Sequence, residues 1–275
     1  MATRFHKMHG AGNDFVVLDL REQEFEVDAD VARRLAHRRT GIGCDQLLVL
    51  HQPQAPGCVV SLQVWNADGS RAEQCGNGVR CIGLYLHQRG ETIDNRARIE
   101  GPVAFMDVAV GADGLVTAGM GQPEFDPAKV PVNAAKSDGW YTLETGGQQL
   151  RLAAVSIGNP HAVVPVEAHD GEAFSRLGPA ISTHPAFPEG CNAGFVRLVD
   201  RNTVELRVWE RGSGPTLACG SGACAAAAVL IANKMADSPV EVRQNGGILV
   251  IEWTDKDAEL TQKGPAVHLY EGTLL

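Results

Sequence analysis

Leu62-Gln-Val-Trp-Asn-Ala-Asp-Gly-Ser-Arg-Ala-Glu-Gln-Cys75-Gly-Asn-Gly78 has a counterpart 144 residues further on, Leu206-Arg-Val-Trp-Glu-Arg-Gly-Ser-Gly-Pro-Thr-Leu-Ala-Cys219-Gly-Ser-Gly222. The two stretches align without a gap. Leu62 falls on Leu206, Val64 on Val208, Trp65 on Trp209, Cys75 on Cys219, Gly76 on Gly220 and Gly78 on Gly222. In each, apolar and polar residues alternate up to the tryptophan, the period-2 signature of a half-buried strand. In each, a helical run follows the Cys-Gly turn. A chain that repeats a strand, a cysteine turn and a helix in the same order reads as two homologous halves.

The repeat widens outward from the cysteines. Gly12-Asn13-Asp-Phe-Val-Val17 matches Gly158-Asn159-Pro-His-Ala-Val163 at an offset of 146, and at that offset Gln46 falls on Asn192. Four polar positions therefore come in pairs: Asn13 with Asn159, Gln46 with Asn192, Asn66 with Glu210, and Cys75 with Cys219. Four pairs in one order at a nearly constant offset point to duplication, each half a mixed sheet with one buried helix. Gly, Pro and Asp cluster at 119–131 and mark the seam. The expected division is 1–119 together with 265–275, and 120–264, with the final strand at 266–270 returning to the first half. Further strands are predicted at 15–18, 47–50, 104–110, 116–120, 150–155, 162–166, 195–198, 240–243 and 248–253. Helices are predicted at 30–39, whose acidic start and basic end suit the helix dipole, and at 77–88 and 221–234.

The 275 residues suffice for one large or two ordinary domains. The 33 acidic residues outnumber the 24 basic ones, giving a net charge of −9, which argues against a broad nucleic-acid surface. The segment 1–7 lacks the apolar core of a signal peptide, and the apolar run 223–232 is too short to span a bilayer. Seven cysteines, an odd number in a chain too long to need stapling, favour free thiols and a cytoplasmic location.

Each repeated cysteine stands where a helix N-terminus should begin. Free N–H groups and the positive dipole end are expected to lower a thiol pKa there, and they bind anions. Two such turns could grip one carboxylate and hold a sulfur on each side of its α-carbon. A thiolate would take the α-proton and the opposite thiol would return one to the other face. Donors aimed at the carboxylate would strengthen as the carbanion forms. No metal and no cofactor is needed for that inversion. His161 and Glu210 stand where the other half has Phe15 and Asn66, so both are asymmetric additions able to make the two thiols differ in protonation. Arg211 is suited to clamp a second carboxylate in bidentate fashion.

An isolated cysteine is more often a small core residue than a catalyst, and Cys44, Cys58, Cys81, Cys191 and Cys224 are read that way. For Cys75 and Cys219 the duplicated turn reverses that reading. The spacings Cys75–Cys81 and Cys219–Cys224 do not match the close pairs of structural zinc sites. A lone His161 would ordinarily be a satisfied polar residue, and Arg211 could merely solvate a strand end.

Taken together, these motifs closely resemble the diaminopimelate epimerase family, whose members are cofactor-independent two-cysteine enzymes. The resemblance spans essentially the whole chain. It is carried by Lys7-Met-His-Gly-Ala-Gly-Asn-Asp-Phe15, Gly41-Ile-Gly-Cys-Asp-Gln46, Asn66-Ala-Asp-Gly-Ser70, Gln74-Cys-Gly-Asn-Gly-Val-Arg-Cys81, Gly158-Asn-Pro-His161, Asn192-Ala-Gly-Phe195, Glu210-Arg-Gly and Ala218-Cys-Gly-Ser-Gly-Ala-Cys224. It implies an α+β fold of two pseudo-symmetric halves, each a barrel-like mixed sheet around a central helix. It further implies a homodimer and the interconversion of LL- and meso-2,6-diaminopimelate in lysine and peptidoglycan precursor synthesis. Cys75 and Cys219 would be the acid/base pair, with His161 and Glu210 setting their protonation. Gly76, Asn77, Gly220 and Ser221 would hold the reacting carboxylate. Asn13, Gln46, Asn66, Asn159, Asn192, Glu210 and Arg211 would bind the rest of the substrate. Cys44 occupies a position associated in the family with small or apolar residues. Competing readings are another two-thiol racemase of the proline racemase type, a non-catalytic anion-binding protein, and a thiol redox protein using Cys75 and Cys219 as a couple.

Overall fold

A two-residue turn sets the first strands in place. Ala11 (φ 52°) and Gly12 (φ 82°) both adopt the left-handed conformation that a tight hairpin turn demands. They join β1 (Thr3–Gly10) to β2 (Asn13–Asp19), with Gly10 opposite Asn13. The computed structural model describes residues 3–73 and 75–274, and it divides into two units: Met1–Gly119 with Lys263–Leu275, and Met120–Gln262.

In the first unit, β3 (Gln46–His51) lies parallel to β2, with Gln46 beside Phe15. The crossover between them carries α1 (Ala29–Ala36), capped by the Asp28 carboxylate, which accepts from the Val31 N–H. Next comes β4 (Val60–Asn66), antiparallel to β3, with Gln46 opposite Asn66. α2 (Gly76–Gln88) then leads to β5 (Arg96–Glu100), parallel to β4, and to the meander of β6 (Phe105–Val110) and β7 (Val116–Gly119). The strand expected at 266–270 extends over Val267–Leu274 and pairs antiparallel with β1.

Alternation along β2 explains why its sequence is almost wholly apolar. Phe15 and Val17 join the cluster around α2, with Leu48, Leu62, Ile82, Leu86 and Ile99. Val16 and Leu18 point the other way, into the cluster with Leu47, Val49, Trp65 and Ala32 and Ala36 of α1. A strand covered on both faces loses its polar residues. Each fully buried aliphatic side chain contributes about 1.5–3 kcal/mol. α2 is buried on nearly every side and packs on β1, β5, β6 and β7. Gly83 permits this approach, since a Cβ there would lie 3.1 Å from Val108.

The second unit repeats the order. After β8 (Lys136–Ser137), β9 (Trp140–Thr145) pairs antiparallel with β10 (Gln148–Ser156), and β10 with β11 (Pro160–Pro165). α3 (Gly171–Ser182) crosses to β12 (Asn192–Asp200), parallel to β11 with Asn192 beside His161. β13 (Thr203–Glu210) returns antiparallel, with Trp209 opposite Ala193 just as Trp65 is opposite Leu47. The short β14 (Gly214–Pro215) precedes α4 (Gly220–Ala232), followed by β15 (Val240–Gln244), parallel to β13, and its antiparallel partner β16 (Gly247–Glu252). The division between the units falls inside β17 (Thr261–Gly264), and Val267–Leu274 is β18.

Four helices stand among the described residues, where three are expected. α3 is the addition: Gly171, Gly178 and Pro179 lower its propensity and hide it from a periodicity reading. Asp170 caps it, and Phe174, Leu177 and Ile181 pin it to the sheet beside Phe195 and Val164. α1 stops at Ala36 rather than at 39, because His37 turns extended. α4 stops at Ala232 rather than at 234, where Lys234 takes φ 58°. The strands β1, β5, β8, β9, β14 and β17 were also not expected. β1 carries His6 and Lys7, polar residues that conceal a buried strand.

Candidate active site

Both cysteines are helix N-caps, and each cap is built within its own unit. The Gly78 N–H donates to Cys75 Sγ at 3.3 Å, and the Gly222 N–H donates to Cys219 Sγ at 3.3 Å. Glycine relieves crowding at both donors. A Cβ on Gly78 would sit 3.3 Å from Cys75 Sγ and 2.9 Å from Leu48. One on Gly222 would sit 3.2 Å from Cys219 Sγ and 3.0 Å from Val208. Each sulfur therefore satisfies one of the N–H groups that the first turn of a helix leaves unmatched.

In the first unit, Asn13 starts β2 beside this cap. The Cys75 thiol donates to Asn13 Oδ1 over a long 3.9 Å, and Asn77 Nδ2 donates to the same oxygen at 3.4 Å. Gln46 Nε2 donates to Asn66 Oδ1 at 2.8 Å, and Asn66 Nδ2 donates to Ser70 Oγ at 3.0 Å. Asn13, Gln46, Asn66, Cys75, Gly76 and Asn77 are thus brought together on the ends of β2, β3 and β4 and the start of α2.

The second unit uses the same scaffold with other chemistry. His161 is buried, and its Nε2 lies 2.9 Å from Asn159 Oδ1. Burial, and then the Arg211 guanidinium, push its pKa down to about 3, so the ring is neutral. With the proton on Nε2, His161 Nδ1 is left as a buried acceptor without a partner. Asn192 is buried, with one amide hydrogen and one oxygen lone pair engaged within the unit. Its Oδ1 accepts from the Arg211 N–H at 2.9 Å, and its Nδ2 donates to the Pro160 carbonyl at 3.3 Å. Arg211 Nη1 donates to the Glu189 carbonyl at 3.1 Å. Cys219, Gly220 and Ser221 are buried, with Ser221 Oγ 3.6 Å from Cys219 Sγ.

One expectation is reversed here. A helix N-terminus was expected to lower the thiol pKa, yet that of Cys219 is pushed well above the ordinary range. Burial is the chief cause, followed by the Glu210 carboxylate, and together they outweigh the Ser221 hydroxyl and the Gly222 N–H. The thiols of Cys44, Cys81 and Cys191 are each pushed up to about 12 by burial, as suits passive core residues.

The sequence reading missed the residues that hold these groups. Thr216 Oγ1 donates to Glu210 Oε1 at 2.6 Å, and Gln244 Oε1 accepts from the Cys219 N–H at 2.8 Å. Nothing in the sequence marks Gln244. Around Asn13, Asp14 and Asp45 exchange hydrogen bonds across β2 and β3. They carry a signal that was available, because the repeat puts Pro160 and Cys191 at their places.

Against this geometry, the comparisons are consistent with one another. The sequence profile described as diaminopimelate epimerase matches residues 5–125 and 153–269. The chain is similar to a protein named diaminopimelate epimerase from Pseudomonas entomophila, 45% identical over 272 residues covering 99% of each chain. One of the same name from Stutzerimonas stutzeri is 43% identical with the same coverage. Among solved structures, a hydroxyproline epimerase from Agrobacterium vitis with bound trans-4-hydroxy-L-proline has a TM-score of 0.73 at 15% identity, covering 99% of this chain and 92% of that one. A phenazine biosynthesis protein of the PhzF family from Bacillus anthracis has a TM-score of 0.69 at 14% identity, covering 100% and 99%. At such low identity these two structures speak for the fold alone.

Proposed function

Since the chain belongs to the diaminopimelate epimerase family, we propose that it interconverts LL- and meso-2,6-diaminopimelate with Cys75 and Cys219 as its two acid/base groups. The observation that carries the site assignment is the duplicated cap: each cysteine closes the N-terminus of its unit's buried helix and accepts from the glycine N–H three residues on. Each unit thereby supplies one sulfur and one helix N-terminus.

In the reaction, one thiolate takes the α-proton, and the electron pair left on carbon delocalises into the carboxylate. The other thiol delivers its proton to the opposite face of the same carbon. The two sulfurs finish with their protonation exchanged, so the reverse reaction starts from the product state. Helix N-terminal N–H groups at Gly76, Asn77, Gly220 and Ser221 stabilise the carboxylate as it gains charge. Neutral His161 and the Glu210 carboxylate bias the protonation of Cys219. Asn13, Gln46, Asn66, Asn159, Asn192 and Arg211 receive the rest of the substrate, with Arg211 on the distal carboxylate.

The reading includes independence from pyridoxal phosphate, because the thiols supply both proton transfers. It also places the enzyme in lysine biosynthesis and in the cytoplasm, supported by the odd number of cysteines in a chain of this length. The homodimer is carried over from the family resemblance, and sedimentation of the purified chain tests it.

The functional test is solvent exchange. The purified chain in deuterium oxide should convert LL-diaminopimelate to the meso form and place deuterium at the α-carbon. Lysine, which lacks the distal carboxylate, should turn over at least ~100-fold less efficiently. Comparable kcat/KM for lysine would overturn the specificity assigned to Arg211.

A further inference from the structure

The environment of Cys75 contains a chain of side chains with no counterpart in the second unit. Arg80 is fully buried in α2, and its Nη2 donates to Asn77 Oδ1 at 2.7 Å. Asn77 Nδ2 donates to Asn13 Oδ1 at 3.4 Å. Asn13 Nδ2 in turn donates to Asp45 Oδ2 at 3.0 Å. The far oxygen of Asp45 accepts from Arg38 Nη2 at 2.6 Å.

Order in this chain follows from its ends. A guanidinium can only donate, and a carboxylate can only accept. Arg80 therefore fixes the Asn77 amide with its oxygen toward α2, and Asp45 fixes the Asn13 amide with its nitrogen toward β3. Both constraints agree, leaving Asn13 with its oxygen toward the Cys75 sulfur, 3.9 Å away. An oxygen in that place accepts from a thiol and repels a thiolate.

Asp45 is itself braced. Its Oδ2 also accepts from the Asp14 N–H at 3.1 Å, its own N–H donates to Asp14 Oδ1 at 3.1 Å, and Arg38 Nη2 reaches Asp14 Oδ1 at 2.7 Å. Lys7 completes the brace with bonds to the Asp14 carboxylate and the Gly43 carbonyl. Although burial opposes it, hydrogen bonds from Arg38 and Lys7 hold the Asp14 carboxyl well below the usual carboxylate range.

The repeat shows that this construction belongs to one unit alone. At the places of Asp14, Asp45, Asn77 and Arg80 stand Pro160, Cys191, Ser221 and Cys224. Pro160 has no N–H, and Asn159 Oδ1 is engaged by His161 instead. We propose that Asp45 and Arg80 are positioning residues that lock the Asn77–Asn13 amide order and so oppose ionisation of the Cys75 sulfur, against the Gly78 N–H that favours it. This rests on the acid/base role given to Cys75.

Asp45 is half exposed, so its substitution leaves the core intact, and two variants separate orientation from charge. Asp45→Asn removes the charge but can still accept from Asn13. Asp45→Ala removes both. The readout is the pH dependence of iodoacetamide labelling of the full-length protein, followed by mass spectrometry of the peptides bearing Cys75 and Cys58. Cys58, in the loop before β4, is the internal reference. The labelling midpoint of Cys75 should fall by about half a pH unit or more in Asp45→Ala and by less than half that amount in Asp45→Asn, with Cys58 unmoved. No fall in Asp45→Ala, or an equal fall in both variants, would overturn the proposal. Labelling needs no substrate, so this result is independent of whether the chain epimerises diaminopimelate.

Discussion

The two units carry the same cap and surround it with different chemistry. At Cys75 the neighbour is an amide, Asn13, anchored by a carboxylate and an arginine outside the cap. At Cys219 the neighbour is a carboxylate, Glu210, and the sulfur is buried. Duplication supplied two identical N-caps, and the residues at Asn66/Glu210, Phe15/His161 and Asp45/Cys191 then diverged. A two-thiol reaction requires that divergence. Two sulfurs with equal proton affinity would spend much of their time in the unproductive states with both protonated or both ionised.

The largest effect should come from removing either sulfur. Cys75→Ala and Cys219→Ala should each lower epimerisation by about 100-fold or more while leaving the circular dichroism spectrum unchanged, because inversion uses both transfers. If the Cys75 variant kept most of its activity and the Cys219 variant lost it, the equivalence of the two caps would fail.

Next in size is the carboxylate that only the second unit has. Glu210→Gln removes the negative charge that, after burial, does most to hold up the Cys219 thiol. Losing that charge makes the thiolate easier to form. The basic limb of kcat/KM reports loss of the last thiol proton, so it should move to lower pH, and the rate should fall by about tenfold or more. A limb that stays in place would show that Glu210 does not act through Cys219.

What could be read from the sequence follows from where the repeat is dense. The strand–cysteine–helix block predicted β4, β13, α2 and α4, because period-2 alternation and a glycine-rich cap are local signals. α3 escaped because Gly178 and Pro179 disguise a helix that tertiary contacts hold, including the close approach of Gly178 to the Trp209 ring. β1 escaped because buried His6 and Lys7 look like surface residues. Among the site groups, each half was legible as a set of paired positions. The supporting residues Thr216 and Gln244 were not, since their partners lie six and twenty-five residues away on other elements, whereas Asp14 and Asp45 were marked only by their mismatch in the repeat, with Pro160 and Cys191 at their places. The pKa of Cys219 was misjudged because the cap is visible in sequence and the burial is not.

A smaller effect separates the units by acid stability. His161 titrates near 6.5 when unfolded and about 3 when folded, whereas its counterpart Phe15 cannot titrate. Below pH 6.5 the unfolded chain binds a proton that the folded one refuses. Stability from this group is therefore full above that pH and is lost as pH falls toward 3, by roughly 1.4 kcal/mol per pH unit at most. His161→Gln should lose less denaturant resistance than the parent between pH 7 and pH 5. An identical decline in both would place the acid sensitivity elsewhere.

The smallest expected effect concerns how Glu210 is held. Thr216 falls on Ala72 in the repeat, and Ala72 has no hydroxyl to offer Asn66, which bonds Ser70 instead. In the second unit the Thr216 hydroxyl donates to Glu210 Oε1 at 2.6 Å, fixing one carboxylate oxygen and leaving the other to act on its surroundings. Thr216→Ala copies the first unit's residue. Glu210 is only partly buried, so water can replace the lost donor, and the net loss should be near 1 kcal/mol, about fivefold in rate. The loss should fall on kcat rather than KM, since Thr216 touches the carboxylate and not the substrate. It should also vanish in a Glu210→Gln background, where the charge that the hydroxyl orients is already gone. Additive losses in the double variant would mean that Thr216 acts on the fold of the β14 turn and not through Glu210.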